Sequence, residues 1–176
     1  MIEENEIKEQ SLKDVAQKMI IAARTAPKGK GADTFVFKIA ERKDIEILSK
    51  KINEMGEKYD APGFLRDAQN ILNSSIMILA GTTIKPMGLK KCGMCGFKDC
   101  AQKDEHKNIP CVFNIGDLGI AIGSAVSVAM DHRIDNRIMY SVGQAALEMG
   151  ILGKDVKIAY AIPLSATSKN PFFDRK

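Results

Sequence analysis

The chain has 176 residues, 45% of them apolar and 27% charged, enough for one domain with a real hydrophobic core and short for two; with no low-complexity tract, this balance excludes a disordered protein. The net charge of +4 comes from 26 basic and 22 acidic residues scattered along the chain, with seven Phe, three Tyr and no Trp. Neither a dense basic patch nor a run of base-stacking platforms is present, so nucleic acid is not an expected partner.

Met1 to Gln10 is polar and acidic, without a basic stretch leading into an apolar one, so no signal peptide is expected and the protein is expected to be cytoplasmic. Ser11 reads as the N-cap of a first helix on which Leu12, Val15, Ala16, Met19, Ile20 and Ala23 keep helical spacing up to Pro27. The glycine-rich loop Lys28-Gly29-Lys30-Gly31 leads into a strand over Thr34 to Ile39, rich in β-branched and aromatic residues. Asp44 begins a second helix with Ile45, Leu48, Ile52 and Met55 on one face, and a shorter helix covers Phe64 to Leu72. Ser75 to Ala80 is a continuous apolar run bounded by Gly81, as a buried strand would be.

Past the cysteine region, Ile115 to Met130 reads as a buried helix of about 16 residues that contains Asp117 and falls short of the roughly 20 needed to cross a bilayer. No membrane association is expected. Gly116, Gly119, Gly123, Ser124 and Ser127 recur along it, which predicts close approach of another backbone. A further helix spans Asn136 to Met149 and stops at Gly150, with Asp135 as its cap, and the last strand, Val156 to Ile162, is closed by Pro163. The order α-β-α-α-β-loop-α-α-β predicts an α+β domain with a small sheet between helices.

The four cysteines fall in one segment, Cys92-x2-Cys95-x4-Cys100-x10-Cys111, and no other cysteine exists in the chain. A disulfide framework would spread its cysteines to staple distant elements, so a metal site is the better reading. Gly93 and Gly96 directly follow the first two cysteines, allowing the loop to wrap a metal and turn N–H groups toward sulfur. Lys90, Lys91, Lys98 and Lys103 lie close enough in sequence to offset the charge of a [4Fe–4S] cluster held by four thiolates. The spacing matches neither the bacterial ferredoxin run nor paired zinc knuckles, so an iron–sulfur cluster stands first, with structural zinc and redox-active thiols open beside it. His106, between the third and fourth cysteines, reads as a solvated loop residue ahead of a ligand.

Arg24 to Gly31 gathers cations and glycine N–H groups that could bind a cofactor phosphate, namely Arg24, Lys28, Gly29 and Lys30, but as a bare pattern a solvated helix-to-strand connection stands ahead of it. The polar cluster Asp131 to Arg137 contains His132, but caps and surface ion pairs explain most such clusters. No nucleophile with a partner motif is visible, and no catalytic residue is assigned.

The segments Ala23 to Gly29, Cys92-Gly93-x-Cys95-Gly96, Asp117 to Ala125 and Ile162 to Thr167 occur in an order that resembles the prokaryotic ferredoxin-domain proteins, which are in turn similar to FMN-dependent nitroreductases. The resemblance implies one nitroreductase-like α+β domain over residues 1–176, a central and mostly antiparallel sheet flanked by helices, with a cysteine-rich insertion at about 90–114. It also implies an intimate homodimer built on the helix from Ile115, with FMN at the interface and Ala26-Pro27 in the flavin-contacting loop. Such enzymes pass hydride from a nicotinamide cofactor to FMN and on to an acceptor. Here Met1 to Gln10 carries no arginine for the FMN phosphate, and Lys28 and Gly31 stand where Ser and Asn are usual, which leaves Arg24, Lys28, Lys30 and Arg175 as the available cations. Two functions follow. One is a flavin-linked iron–sulfur oxidoreductase or electron-transfer protein working with a redox partner; the other is a cluster- or zinc-binding protein that has lost flavin chemistry and catalysis.

Overall fold

Two acidic residues start the first helix earlier than the serine cap predicts. The computed structural model, which describes residues 1–173, runs α1 from Glu4 to Thr25. Glu4 and Glu6 lie at the positive end of the helix dipole, and Glu4 pairs with Lys8 at 2.6 Å, so Ser11 is an exposed residue inside the helix and not its cap. Pro27 ends α1 by forcing Ala26 into an extended conformation (ψ 142°). Leu12, Val15, Ala16, Met19 and Ala23 form its buried stripe, as the spacing predicts.

Strand β1 (Phe35–Glu41) passes directly into α2 (Arg42–Lys58), and a reciprocal capping box between Glu41 and Asp44 fixes the junction, with Asp44 at the third helical position instead of the first. Helix α3 (Pro62–Ile71) opens on a proline, and β2 (Ile76–Thr83) follows. After the cysteine segment and the short α4 (Cys100–Asp104) come α5 (Val112–Asp131), β3 (Asp135–Asn136), α6 (Tyr140–Glu148) and β4 (Val156–Ser165). The sheet order is β1-β2-β4-β3 and every neighbouring pair is antiparallel.

Alternation along the strands builds two cores. Phe35, Ile76, Ile78, Ala80, Ile162 and Leu164 face α1 and α5, while Ala40, Met77, Leu79, Ala159 and Ala161 face α2, α3 and α6. Strand β2 is buried on both faces, which is why it reads as an unbroken apolar run. Gly81 does not end it: a Cβ there would stand 2.6 Å from the Val156 side chain and 3.0 Å from the Ile158 carbonyl, so glycine lets β2 and β4 continue side by side.

Pro163 does not end β4 either. Ala161 N–H donates to the Met139 carbonyl at 2.9 Å, and two residues on, Pro163 has no N–H for that same edge. The ladder is therefore broken between the Met139–Ala161 bridge and β3, where Asn136 pairs with Leu164. Paired with Ser165 and Leu164, Asp135 and Asn136 form a strand and not a cap and first turn, and the helix after them begins only at Tyr140.

Helix α5 has 20 residues, longer than the sequence reading, and by length and composition it is long and apolar enough to cross a membrane. One face, Leu118, Ala121, Ile122, Ala125 and Ala129, packs into the first core, and Ser124 donates to the Ala22 carbonyl of α1 at 3.0 Å. The glycine stripe lies on the other face: a Cβ at Gly116, Gly119 or Gly123 would meet nothing within 4 Å among the described residues. Within this chain the close backbone approach occurs instead at Gly143 of α6, whose Cβ would stand 2.0 Å from the Ala159 carbonyl oxygen.

Candidate metal centre and the adjoining glycine loop

The chain leaves the sheet at Thr83 and enters α5 only after Cys111, so the cysteine segment, with the short α4 inside it, is an excursion between β2 and α5. Gly93 and Gly96 have φ of 94° and 87°, a left-handed region open to glycine, and Gly96 N–H closes a turn on the Gly93 carbonyl at 2.9 Å. That one turn, Gly93 to Gly96, therefore encloses Cys95. Cys100 opens α4, with Asp99 capping it by accepting the Gln102 N–H at 2.9 Å, while Gln102 accepts the Lys98 N–H at 2.8 Å. Cys111 is the N-cap residue of α5 and makes no side-chain cap bond. A negative charge on its sulfur would meet the positive end of a 20-residue helix.

All four thiols are unpaired; Cys111 is buried and the other three are partly exposed. Among the described residues no group of three or more His, Cys, Asp or Glu side chains is gathered as for a metal ion. His106 stacks on Phe97 with centroids 5.0 Å apart and is solvent-exposed, in keeping with its reading as a loop residue.

One side chain in the segment is out of place without an anion. Lys103 is 1% exposed, and its Nζ has no hydrogen-bond partner among the described residues. A buried ammonium without a counter-charge costs several kcal/mol. The neighbouring Asp104 is bonded to Lys107 at 2.7 Å and feels Lys103 only through space. Lys90, Lys91 and Lys98, which the sequence offers equally, are all exposed. Four thiolate-forming side chains and one orphaned buried cation in a single segment fit a resident group that is anionic, as an iron–sulfur cluster with four thiolates is. Sequence reading named Lys103 only as one of four nearby cations; its position three residues after Cys100, on one helical face, is the signal that separates it.

The glycine loop lies beside this segment. Gly29 N–H donates to the Asp117 carboxylate of α5 at 2.9 Å, and Lys85 N–H donates to Asn114 Oδ1 at 3.1 Å. The first turns of α5 therefore tie together the loop after α1, the exit of β2 and, through Cys111, the cysteine segment. A hollow of about 260 Å³ opens between them, lined by Lys30, Thr34, Lys85, Met87, Asn114 and Asp117 among others.

The predicted phosphate cations divide. Arg24 pairs with Asp33 at 2.5 Å, reaches the Phe35 carbonyl at 3.4 Å and lies over the Phe37 ring at 5.0 Å. Lys28 donates to the Arg24 carbonyl and, at 2.9 Å, to the Ala26 carbonyl. Lys30 holds a left-handed conformation (φ 54°) and lines the hollow. Arg175 lies outside the described residues. His132 is exposed and caps the C-terminus of α5 through its backbone.

An antiparallel sheet with α1 and α5 on one face and α2, α3 and α6 on the other gives this chain a nitroreductase-like fold. The nitroreductase CinD from Lactococcus lactis, solved with nicotinic acid, is similar with a TM-score of 0.62 at 11% identity, over 96% of this chain and 81% of that one. A protein from Desulfovibrio desulfuricans solved in complex with FMN gives 0.60 at 14% identity, over 93% and 78%. A BluB-like flavoprotein from Clostridium difficile gives 0.56 at 17% identity, over 89% and 84%. At such identities the likeness establishes the fold. The chain belongs to the family of uncharacterized proteins containing a ferredoxin domain (DUF2148), whose profile matches residues 107–175, including Cys111 but starting after Cys92, Cys95 and Cys100. An uncharacterized protein of Archaeoglobus fulgidus is 38% identical over 182 residues, spanning 99% of this chain and 97% of its own.

Proposed function

We propose that this chain is an iron–sulfur redox protein, an oxidoreductase or electron-transfer protein related to flavin-dependent nitroreductases, in which Cys92, Cys95, Cys100 and Cys111 hold a [4Fe–4S] cluster. The observation that carries the reading is the buried, unpartnered Lys103 inside the four-cysteine segment. When bound, the cluster supplies one-electron transfer. The chain's own residues do the rest: Gly93 and Gly96 turn the loop around the site, the N-terminus of α5 supports charge on Cys111, and the Asp117–Gly29 bond fixes the glycine loop against the same helix end.

In this reading residues 1–176 form one cytoplasmic domain with the cysteine-rich insertion at about 90–114. It works as a homodimer across the open face of α5 and exchanges electrons with a redox partner protein or a nicotinamide cofactor. FMN would use the hollow beside Lys30 and Lys85. At about 260 Å³ it lies below the roughly 300–1,000 Å³ of ordinary ligand pockets, so a second subunit would complete it. The alternative, a cluster- or zinc-binding protein without flavin chemistry, is favoured by one observation: Arg24 and Lys28 are already bonded to Asp33 and to backbone carbonyls.

Anaerobic purification with iron, acid-labile sulfide, zinc and flavin analysis tests these readings together. The expected result is about four iron and four sulfide per chain. Changing any one of the four cysteines to Ser should lower both and make residues 90–114 protease-sensitive, because metal binding contributes directly to folding of the segment. About one zinc per chain without sulfide would overturn the iron–sulfur assignment and the electron-transfer role with it. Absence of flavin after reconstitution would leave the carrier reading standing.

A further inference from the structure

We infer that Lys103 is the dedicated counter-charge of the cluster and sets its reduction potential, an inference that rests on the four-cysteine cluster reading. The helix geometry selects this residue. Lys103 follows Cys100 by three positions in α4, so the two share a helical face, and helical side chains lean toward the N-terminus, here toward Cys100. No protein acceptor competes for the Nζ among the described residues.

Burial gives Lys103 a weight that its neighbours lack. Lys90, Lys91 and Lys98 are exposed, where water and salt screen them. A charge acting at an effective dielectric of about 20 counts roughly four times as much as one acting through water. Reduction adds one electron from a low-potential one-electron donor such as a reduced viologen. No bond is made or broken, and the negative charge of cluster plus thiolates rises from about two to about three. A positive charge at Lys103 stabilises the more negative state more strongly, so it raises the reduction potential.

The test is a potentiometric titration, with viologen mediators and an EPR readout, of the anaerobically reconstituted full-length chain and its K103M, K103Q and K103R variants. The two neutral variants should be at least about tenfold harder to reduce, about 59 mV for a one-electron couple, while K103R stays within about threefold of wild type. Fully loaded K103M and K103Q within about threefold of wild type would overturn the inference while leaving the cluster in place. Should the neutral variants fail to take up iron and sulfide, K103R decides. Loading kept by K103R supports the counter-charge role, and equal loss in K103R shows that only the shape of lysine is needed and overturns it. Wild-type protein without iron and sulfide overturns the cluster reading itself, before any variant is compared.

Discussion

Asp33 and Arg24 meet at 2.5 Å with side chains 35% and 41% exposed. Partial burial acts to raise the Asp33 carboxyl, but the hydrogen bonds from Arg24 and the Phe35 N–H, with the charges of Arg24 and Lys28, outweigh it and hold the pKa below its ordinary value. A depressed folded pKa fixes the sign of the pH dependence. The pair adds stability above the ordinary carboxylate pKa, and that stability is lost as pH falls through the folded value. Because both groups are more than a third exposed, the contribution is small, about 0.2–1 kcal/mol. Replacing Arg24 with Gln should raise the Asp33 midpoint in a carboxyl NMR titration and cost that amount at neutral pH, with the two proteins converging in acid. An unmoved midpoint would show that the guanidinium is not what holds the carboxylate. The sequence displayed Arg24 as a cation next to a glycine loop, which is a statement of type. Its engagement by Asp33 depends on the turn at Lys28 to Gly31 folding back, and no local pattern reports that. The cysteines are likewise read by type and spacing alone: four thiols in one segment propose a donor set, but whether they gather depends on the path between them, and among the described residues no three ligand side chains are gathered. Lys103 was half-legible: its nearness could be read from the sequence, but its burial could not.

Helix α6 lies against β4 with no room to spare. A Cβ on Gly143 would stand 2.0 Å from the Ala159 carbonyl oxygen, 2.5 Å from its carbon and 2.9 Å from Tyr160 Cα, and backbone atoms cannot rotate aside as a side chain can. Gly143→Ala must therefore lift α6 off the sheet and loosen Val142, Ala145 and Ala146, all buried in the second core. The expected loss is about 3 kcal/mol, read from the urea midpoint, whereas Gly63→Ala in α3, whose Cβ would meet only the Arg66 guanidinium at 4.0 Å, should be neutral or stabilising by up to about 1 kcal/mol. Equal stability of the two variants would place α6 farther from β4 than described. The elements themselves were largely readable because α1, α2 and β2 carry clean periodicity or an unbroken apolar run. The errors fall where a local signal is overruled by the sheet. Pro163 looks like a stop but sits in β4 with its nitrogen toward a gap in the ladder, and Asp135 looks like a cap but pairs with Ser165. The order β1-β2-β4-β3 is a property of long-range pairing and has no local signature.

At the scale of the molecule, one surface is unlike the rest. The face of α5 turned away from α1 shows Ile115 (44% exposed), Ile120 (49%) and Met130 (63%), with Gly116, Gly119 and Gly123 between them. The stripe of small residues predicts a close backbone approach, and among the described residues nothing comes within 4 Å of where those Cβ atoms would be. Large apolar side chains beside bare helix backbone suit a second helix at short range, and the opposite face of α5 is already used by α1. The expected state is a homodimer in which two copies of α5 meet. Gly119→Leu and Gly123→Leu separate this from a folding effect, since at each position an added Cβ meets nothing within 4 Å among the described residues and leucine is the better helix former by somewhat under 1 kcal/mol. Both variants should keep wild-type secondary structure and soluble yield, yet overpack the contact by about 1–3 kcal/mol, weakening dimerisation by roughly 5- to 150-fold. Sedimentation velocity across a concentration series reads this directly. A wild-type chain that stays monomeric at micromolar concentration would sink the dimer. A chain recovered with membranes would instead show that lipid covers this face, as the 20-residue length and apolar composition of α5 permit.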